Sequence, residues 1–393
     1  MDPRHLWVAV IAGGQGTRLF PISHPDCPKQ FCQLDDKNTF IQKTIENFKA
    51  IGVKPTQIII TVTSPGQKAL AMEQCLPRGI LSQNIIQLDP KLGYPVNMIR
   101  AAEFVRDIDP DGIVINTPSD QYISGEGFAD TIETAVTGAS QGDAVIVGVK
   151  IGDIVTAMGC GHAIYDKEDG FYHTVNSFVE KPERHIADAI MRSGNSACNT
   201  GINVWPAKLI CEKFYPHEAY AGISTDAFMA KIGNLKIAVG TFRWYDCGTL
   251  DSLYAISAKT PNHKNASLGG GIIERSDCRR SLFYASEGME LHASGCEDDA
   301  VVFTVIGERP IIVIAKRAES QKIKLLAEDY LKHQDILTED FSMGARNNIV
   351  LHSNISKELI AGFVGVKNYV VYVERRADGR LVAIVSQPID RTV

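Results

Sequence analysis

Short apolar runs alternate with amphipathic segments through the first two thirds of the chain. The runs are rich in Val and Ile, which is typical of buried parallel strands. They occupy residues 8–12, 58–62, 84–88, 112–116 and 144–149. Between them, apolar residues recur with helical spacing, as in 40–48. This alternation predicts an α/β fold with a Rossmann-like, doubly wound and mostly parallel sheet.

The pattern changes where turn-forming residues cluster between Pro261 and Gly271. We therefore place a domain boundary there, with a larger α/β domain over 1–262 and a smaller β-rich C-terminal domain over 263–393. A faint resemblance between residues 281–286 and 348–353 favours stacked β coils, a partial β-helix, or a small sandwich. A domain of this kind packs on the neighbouring domain or mediates assembly, and the sequence leaves open whether the chain forms a homo-oligomer.

The first apolar run ends in a glycine loop, which we define as residues 12–17. Ala12 is followed by Gly13, Gly14 and Gly16, and these glycines allow backbone N–H groups to approach a phosphate. Thr17 and Arg18 complete the loop and its exit, and Lys29 adds a second cation. The spacing fits neither a dinucleotide fingerprint nor a P-loop. The residues predict a triphosphate site, although a glycine-rich turn near surface cations is also common in α/β proteins.

The loop and the segment Pro28-Lys29-Gln30-Phe31 together resemble the signature of the sugar-1-phosphate nucleotidyltransferases. The Lys-Gln-Phe form is similar to that of mannose-1-phosphate guanylyltransferases. The resemblance spans about residues 8–260 and implies the nucleotidyltransferase fold, with guanylyl transfer from GTP to mannose 1-phosphate giving GDP-mannose and pyrophosphate. It also implies that the glycine loop holds the nucleotide, that Arg18 binds the β- and γ-phosphates and that Lys29 stabilises charge on the α-phosphate.

Nucleotidyl transfer is catalysed mainly by positioning and charge stabilisation, and it requires a divalent ion. Mg²⁺ takes one or two protein carboxylates besides phosphate oxygens and water. Asp120 and Asp246 each follow an apolar run and match the family's metal aspartates. An aspartate after a strand is otherwise more often a turn former. The resemblance therefore implies catalytic Mg²⁺ on this pair.

The resemblance also implies a binding site for the sugar phosphate. Glu180 and Lys181 match a Val-Glu-Lys-Pro motif, in which the carboxylate binds sugar hydroxyls and the ammonium binds the phosphate. Asn199 matches an Asn before a strand, and Gly161 completes the predicted sugar site. Gln87 and Gly93 are the candidates for base contacts.

Several positions depart from the family pattern and leave the substrates open. Residues 91–95 read Lys-Leu-Gly-Tyr-Pro where guanylyltransferases typically have Arg-Asn-Thr-Ala-Pro. Gln121 replaces a usual His, Met158 and Cys160 lie near usual tyrosines, and Cys198 replaces a Trp. The alternatives are the same chemistry with another sugar or cyclitol 1-phosphate or another nucleoside triphosphate, or a non-catalytic sensor of nucleotide sugars.

Composition narrows the class of partner. A net charge of −6 over 393 residues provides no basic field for nucleic acid or an anionic membrane. We therefore expect small-molecule substrates. Nine cysteines without C-x-x-C pairs argue against a disulfide framework and a zinc site, and favour reduced thiols. Since no run approaches the length of a membrane span, we expect a cytoplasmic protein.

Overall fold

The computed structural model describes residues 3–33, 38–166, 172–332, 341–343, 350–353, 360–364, 366 and 369–387. The chain forms two compact units. The first consists of Met1–Gly13 and Phe40–Asp246, and the second consists of Gly14–Thr39 and Cys247–Val393. The glycine loop is thus divided between the units at the Gly13–Gly14 peptide.

The first unit alternates strands and helices, as the apolar pattern predicts. Its strands are β1 (Leu6–Ile11), β2 (Ile58–Val62), β3 (Ile85–Gln87), β4 (Ile113–Pro118), β5 (Tyr122–Ser124), β6 (Ala144–Val149), β7 (Gly161–Tyr165), β8 (His173–Glu180), β9 (Ser196–Pro206), β10 (Leu235–Gly240) and β11 (Arg243–Tyr245). Its helices are α1 (Phe40–Ala50), α2 (Pro65–Cys75), α3 (Gly93–Ile108), α4 (Phe128–Ser140), α5 (Ile154–Gly159), α6 (Arg184–Ser193), α7 (Ala207–Lys213) and α8 (Thr225–Ile232).

A nine-stranded sheet has the order β3-β2-β1-β4-β9-β6-β10-β8-β7, and β7 also pairs with β9. Strands β3, β2, β1 and β4 run parallel, as do β6 and β10. The antiparallel strand β9 lies between β4 and β6. The predicted α/β class is therefore confirmed, with antiparallel pairs at the centre and at one edge of the sheet.

Burial explains why the apolar runs form the middle of this sheet. Every residue of β2 and β6 is buried. The side chains of Met98 in α3 and Trp205 in β9 are completely enclosed in the same core. Burying a large apolar side chain of this kind stabilises the fold by about 1.5–3 kcal/mol.

The second unit is rich in short strands, as the C-terminal sequence predicts. It contains α9 (Leu250–Ile256), β12 (Ala266–Leu268), β13 (Ile272–Ser276), β14 (Leu282–Ala285), β15 (Met289–Ser294), β16 (Asp299–Ile306), β17 (Arg309–Lys316), α10 (Ile323–Lys332), β18 (Phe341–Met343), β19 (Val350–Ser353), β20 (Ile360–Val364), β21 (Val370–Arg375) and β22 (Leu381–Ser386).

The strands of the second unit form two sheets, of order β12-β14-β16-β17-β20-β18 and β13-β15-β22-β21-β19. Successive strands β12 to β15 alternate between the sheets, and β12 pairs in parallel with β14 as β13 does with β15. Stacked coils would give this alternation, whereas β16–β17 and β21–β22 are antiparallel, and the partial β-helix stays a prediction. The second copy of the sequence repeat begins at residues 348 and 349, which lie outside the described residues.

Within the described residues, no helix is both long and apolar enough to cross a membrane.

Candidate active site

The two predicted metal aspartates flank a pair of short strands of the first unit. Strand β5 pairs antiparallel with β11, with Tyr122 opposite Tyr245. Asp246 follows Tyr245 directly, and Asp120 precedes Tyr122 by two residues. Because the strands run in opposite directions, both carboxylates belong to the same end of this short ladder. The structure therefore brings together two residues that are 126 positions apart in the sequence.

The same region adjoins the start of the glycine loop. Ile11 at the end of β1 pairs with Pro118 at the end of β4, and the Ser119 N–H donates to the Ile11 carbonyl at 3.2 Å. Ala12 follows Ile11, and its own N–H donates to the Thr61 carbonyl at 2.8 Å. The carboxyl ends of parallel strands are the usual ligand-binding edge of such a sheet.

The backbone of Gly13 is held by a neighbouring turn that the sequence did not single out. The Thr63 hydroxyl donates to the Gly13 carbonyl at 3.1 Å, and the Thr63 N–H donates to the Gln67 side chain at 2.8 Å. A Cβ on Gly13 would lie 2.6 Å from the Thr63 methyl group. Glycine is therefore required at position 13 for this close approach.

Two further side chains hold the backbone that follows Asn199. The Gln121 amide donates to the Thr200 carbonyl, and the Tyr94 hydroxyl donates to the Gly201 carbonyl at 3.4 Å. Burial raises the pKa of Tyr94 above its usual range, and the negative charge of Asp120 raises it further. Tyr94 therefore stays a neutral hydrogen-bond donor beside the candidate metal ligand.

The predicted sugar residues form a row across three strands. Gly161 on β7 pairs with Glu180 on β8, and His162 on β7 pairs with Cys198 on β9. One step along this antiparallel register places Asn199 on the other side of Gly161. Glu180, Gly161 and Asn199 thus lie side by side, with Gly161 in the middle.

Contacts between the side chains of this row explain why its central residue is glycine. A Cβ on Gly161 would collide with the Glu180 carboxylate and would lie 2.6 Å from the Phe178 ring. The Asn199 side chain accepts the Gly201 N–H at 3.0 Å, which fixes its orientation. The Lys181 ammonium lies 3.3 Å from the Glu180 carboxylate, and both side chains reach solvent. A hydroxyl-bearing phosphate can therefore approach an anion and a cation together.

A disulfide joins Cys160 to Cys198 beside this row. The expectation of reduced thiols is therefore wrong for this pair, while the other seven cysteines are free thiols. The residues are 38 positions apart and follow no sequence spacing that marks a pair. In the sequence, Cys160 and Cys198 are recognisable only as two departures from the family pattern.

The remaining loop residues belong to the second unit. Gly16 has φ +67°, and a Cβ there would lie 2.5 Å from the Lys29 Cβ and 2.7 Å from the Ser23 hydroxyl oxygen. The Ser23 hydroxyl donates to the Gln15 carbonyl at 2.9 Å, and the Gln30 amide donates to the Gly14 carbonyl at 3.1 Å. The end of the glycine loop and the Pro28–Phe31 segment therefore pack against each other.

Charge in this segment is distributed between a buried and an exposed side chain. Lys29 is only 3% exposed, whereas Arg18 lies in a short helical turn from Thr17 to Leu19 and is exposed. Burying an ammonium is costly unless it is compensated, so its position is specified by the fold. The buried Lys29 can therefore hold its positive charge at a fixed position, whereas the exposed Arg18 can adjust its position to a ligand.

The two candidate base-binding residues lie elsewhere in the first unit. Gln87 is exposed at the carboxyl end of β3. Gly93 begins α3 with φ +82°, and the Gly222 N–H donates to the carbonyl of the preceding Leu92 at 3.2 Å. Both residues lie at ends of secondary-structure elements, and their contact with a base stays a prediction.

The two candidate aspartates are suited to an open Mg²⁺ site and not to a site in which the protein supplies every ligand. Among the described residues, no group of three or more His, Cys, Asp or Glu side chains is placed to hold a metal ion. Mg²⁺ usually keeps several waters and binds one or two carboxylates plus substrate phosphates. Asp120 and Asp246 provide that number of carboxylates.

Sequence reasoning assigned no positioning role to the side chains that hold the site, namely Ser23, Gln30, Thr63, Gln67, Tyr94 and Gln121, although Tyr94 and Gln121 belong to the departures from the family pattern. Gln30 lies inside the Pro28-Lys29-Gln30-Phe31 motif, so its contact with the glycine loop could have been expected from the pairing of the two motifs. Thr63 follows an apolar strand, which is a weak signal because many strands end in Thr. Gln67 lies three residues after the N-cap Ser64, which is the spacing of a capping box. Ser23, Tyr94 and Gln121 contact backbone carbonyls through tertiary structure, so the sequence contains no local sign of those contacts.

Residues 8–263 match the family described as nucleotidyl transferase. The chain is 27% identical over 389 residues to mannose-1-phosphate guanylyltransferase 2 of Escherichia coli O157:H7, covering 86% of this chain and 77% of that protein. It is 27% identical over 365 residues to mannose-1-phosphate guanylyltransferase ManC of Salmonella typhimurium, covering 84% and 74%.

The fold is also found among solved structures. The crystal structure of a protein named mannose-1-phosphate geranyltransferase, from Thermus thermophilus, superposes with a TM-score of 0.68 at 21% identity. The match covers 83% of this chain and 99% of that one. The similarity therefore includes strands of both units.

Proposed function

Because the chain belongs to the nucleotidyl transferase family, we propose that it transfers the guanylyl group of GTP to mannose 1-phosphate and forms GDP-mannose and pyrophosphate. The relatives named as mannose-1-phosphate guanylyltransferases support this choice of substrates. The observation that carries the proposal is the placement of Asp120 and Asp246 at one end of the β5–β11 ladder. The proposed catalytic segment is 1–262, with 263–393 as a separate β-rich domain.

Each part of the reaction has a candidate group. The sugar phosphate oxygen attacks the α-phosphorus, and pyrophosphate leaves. Asp120 and Asp246 would hold Mg²⁺, which when bound offsets the negative charge of the phosphates. Lys29 stabilises charge on the α-phosphate, and Arg18 binds the β- and γ-phosphates.

The other residues bind and orient the two substrates. The backbone of the glycine loop, formed by Ala12, Gly13, Gly14, Gly16 and Thr17, surrounds the triphosphate. Glu180 and Asn199 accept from and donate to sugar hydroxyls, and Lys181 binds the sugar phosphate beside Gly161. Gln87 and Gly93 contact the base. Holding both substrates in the reacting geometry supplies much of the rate enhancement in such a reaction.

The substrates are tested by pyrophosphate release. Purified protein with Mg²⁺ is assayed with each nucleoside triphosphate against mannose 1-phosphate and a panel of other sugar and cyclitol 1-phosphates. We expect release with GTP and mannose 1-phosphate. Release with a different pair would keep the chemistry and change the substrates, for which residues 91–95 are the first cause to examine. Absence of release from folded protein that binds nucleotide would favour a sensor.

We call Glu180, Gly161 and Asn199 the sugar row, and the substitution Glu180→Gln tests its role. Loss of a charge-assisted hydrogen bond costs about 1.5–3 kcal/mol, so we expect the KM for sugar 1-phosphate to rise at least tenfold while the KM for GTP is unchanged. Glu183→Gln is the matched control, because that carboxylate is exposed at the start of α6 and lies outside the row. Equal kinetics in the two variants would remove Glu180 from the sugar site.

We propose that catalysis takes place in the cytoplasm, where nucleoside triphosphates and sugar phosphates are available. Immunofluorescence or fractionation of the tagged full chain checks this location.

A further inference from the structure

Both ends of the Cys160–Cys198 disulfide are covalently next to the sugar row. Cys160 precedes Gly161, and Cys198 precedes Asn199. The two Cα atoms are 6.1 Å apart, within the range that a disulfide spans. The bond therefore ties β9 to the residue at which β7 begins.

The backbone of the same cysteine also supports the phosphate-binding cation. The Lys181 N–H donates to the Cys160 carbonyl at 3.2 Å, and Lys181 has a left-handed φ of 44°. A non-glycine residue in that conformation depends on its surroundings to hold it. Displacing Cys160 therefore shifts both Gly161 and Lys181.

We propose that the Cys160–Cys198 disulfide is a reversible modification site that favours sugar 1-phosphate binding when closed and is opened by a small dithiol. This inference rests on the proposed function of the sugar row. It makes the row sensitive to thiol–disulfide exchange, whereas the nucleotide-binding residues are not directly attached to the bond.

The exchange has a defined direction. The Cys160 side is 9% exposed and the Cys198 side only 1%, so one thiolate of the dithiol attacks the Cys160 sulfur. The protein S–S bond breaks, Cys198 leaves as a thiolate and takes a proton, and a mixed disulfide remains on Cys160. The second thiol of the reagent then attacks its own mixed-disulfide sulfur and releases Cys160. Two protein thiols and one cyclic reagent disulfide result.

A histidine lies beside the bond. His162 Nε2 lies 2.8 Å from the Ala157 carbonyl, so this nitrogen carries the proton that it donates. The same nitrogen lies 3.7 Å from the Cys160 sulfur. Because Nε2 is protonated, it does not act as a base for the attacking thiol.

Opening the bond removes the covalent link between β9 and the residue that precedes β7. Gly161 and Lys181 then depend on backbone hydrogen bonds alone for their positions. Because both residues belong to the proposed sugar site, we expect the KM for sugar 1-phosphate to rise at least about fivefold, which corresponds to about 1 kcal/mol of lost binding.

The test compares air-oxidised and dithiothreitol-treated full-length protein. Alkylation in denaturant followed by intact mass should detect seven thiols before reduction and nine after it. In pyrophosphate release, reduction should raise the KM for sugar 1-phosphate and leave the KM for GTP unchanged. The double variant Cys160→Ser, Cys198→Ser should have the raised KM with and without dithiothreitol. Cys75→Ser, which removes a buried free thiol in α2, should respond like the native protein.

Nine alkylated thiols in the oxidised protein would overturn the proposal, as would equal KM values for sugar 1-phosphate in the two redox states. If no substrate pair releases pyrophosphate, the proposed function fails, and hydrogen exchange then decides the inference separately. Loss of protection in the 196–206 peptide on reduction would support the disulfide's control of this strand. Unchanged protection would overturn it.

Discussion

Replacing Gly16 by Ala tests the contact between the glycine loop and the Lys29 segment. The new Cβ would lie 2.5 Å from the Lys29 Cβ, so these atoms must move apart by about 0.9 Å to reach ordinary contact at 3.4 Å. A displacement of this size at a catalytic group costs about 10²-fold in rate. We therefore expect kcat/KM for pyrophosphate release to fall about 100-fold.

The substitution also places Ala in a left-handed conformation, which costs roughly 1–2 kcal/mol of stability. Gly307→Ala separates the two effects, since Gly307 has φ +62° and no atom within 4 Å of its added Cβ. Both variants should lose the stability that the left-handed conformation costs, Gly16→Ala should lose more because of the clash with Lys29, and only Gly16→Ala should lose activity. If Gly16→Ala stays within threefold of Gly307→Ala in kcat/KM, the contact does not position Lys29.

Three further predictions concern charged side chains. Asp120→Asn or Asp246→Asn should remove turnover at every Mg²⁺ concentration in the pyrophosphate assay while far-UV circular dichroism is unchanged. Lys29→Met should lose about 3–4 kcal/mol of transition-state stabilisation, measured as kcat/KM. Hydrogen bonds from Arg280 lower the pKa of Asp298, so this carboxylate stabilises the fold above the usual aspartate pKa of about 3.9. That stabilisation is lost as the pH falls through the lowered pKa, and the Tm deficit of Asp298→Asn should disappear in strong acid.

Each of these variants has a control or a contradicting result. Asp111→Asn changes an exposed turn aspartate before β4 and should retain turnover. Lys54→Met changes an exposed lysine and should retain kcat/KM. A Tm difference between native protein and Asp298→Asn that is the same at neutral and acidic pH would show that the Arg280 pair does not supply the stabilisation.

The parallel part of the fold could be predicted because its strands are nearly all apolar. β2 and β6 are buried along their whole length, so a continuous apolar sequence is enough to predict that they are buried strands. β9 is different, since it carries Asn199, Thr200 and Asn203 among its apolar residues. Its antiparallel direction depends on how the chain returns to the sheet, and hydrophobic periodicity contains no information about strand direction.

The sequence named candidate site residues, whose roles stay predictions, and it did not show how they are arranged. Motif resemblance pointed to Asp120, Asp246, Glu180 and Asn199, but their relation follows from strand register. A one-residue change in the β5–β11 register would alter which side chains meet, and neither sequence specifies that register alone. The supporting hydrogen bonds and the Cys160–Cys198 bond likewise arise only after the strands have paired.

Because Gly161 has no Cβ, the Glu180 carboxylate lies over its backbone in the middle of the row. Adjacent strands lie about 4.8 Å apart, so the backbones of β8 and β9 at this row are separated by about two strand spacings. Hydrogen bonds of the sheet fix that separation, and a point substitution therefore changes the groups that the row carries and not the spacing of its strands. Selection for a different sugar in this chain would have to act through side chains such as those of Glu180 and Asn199.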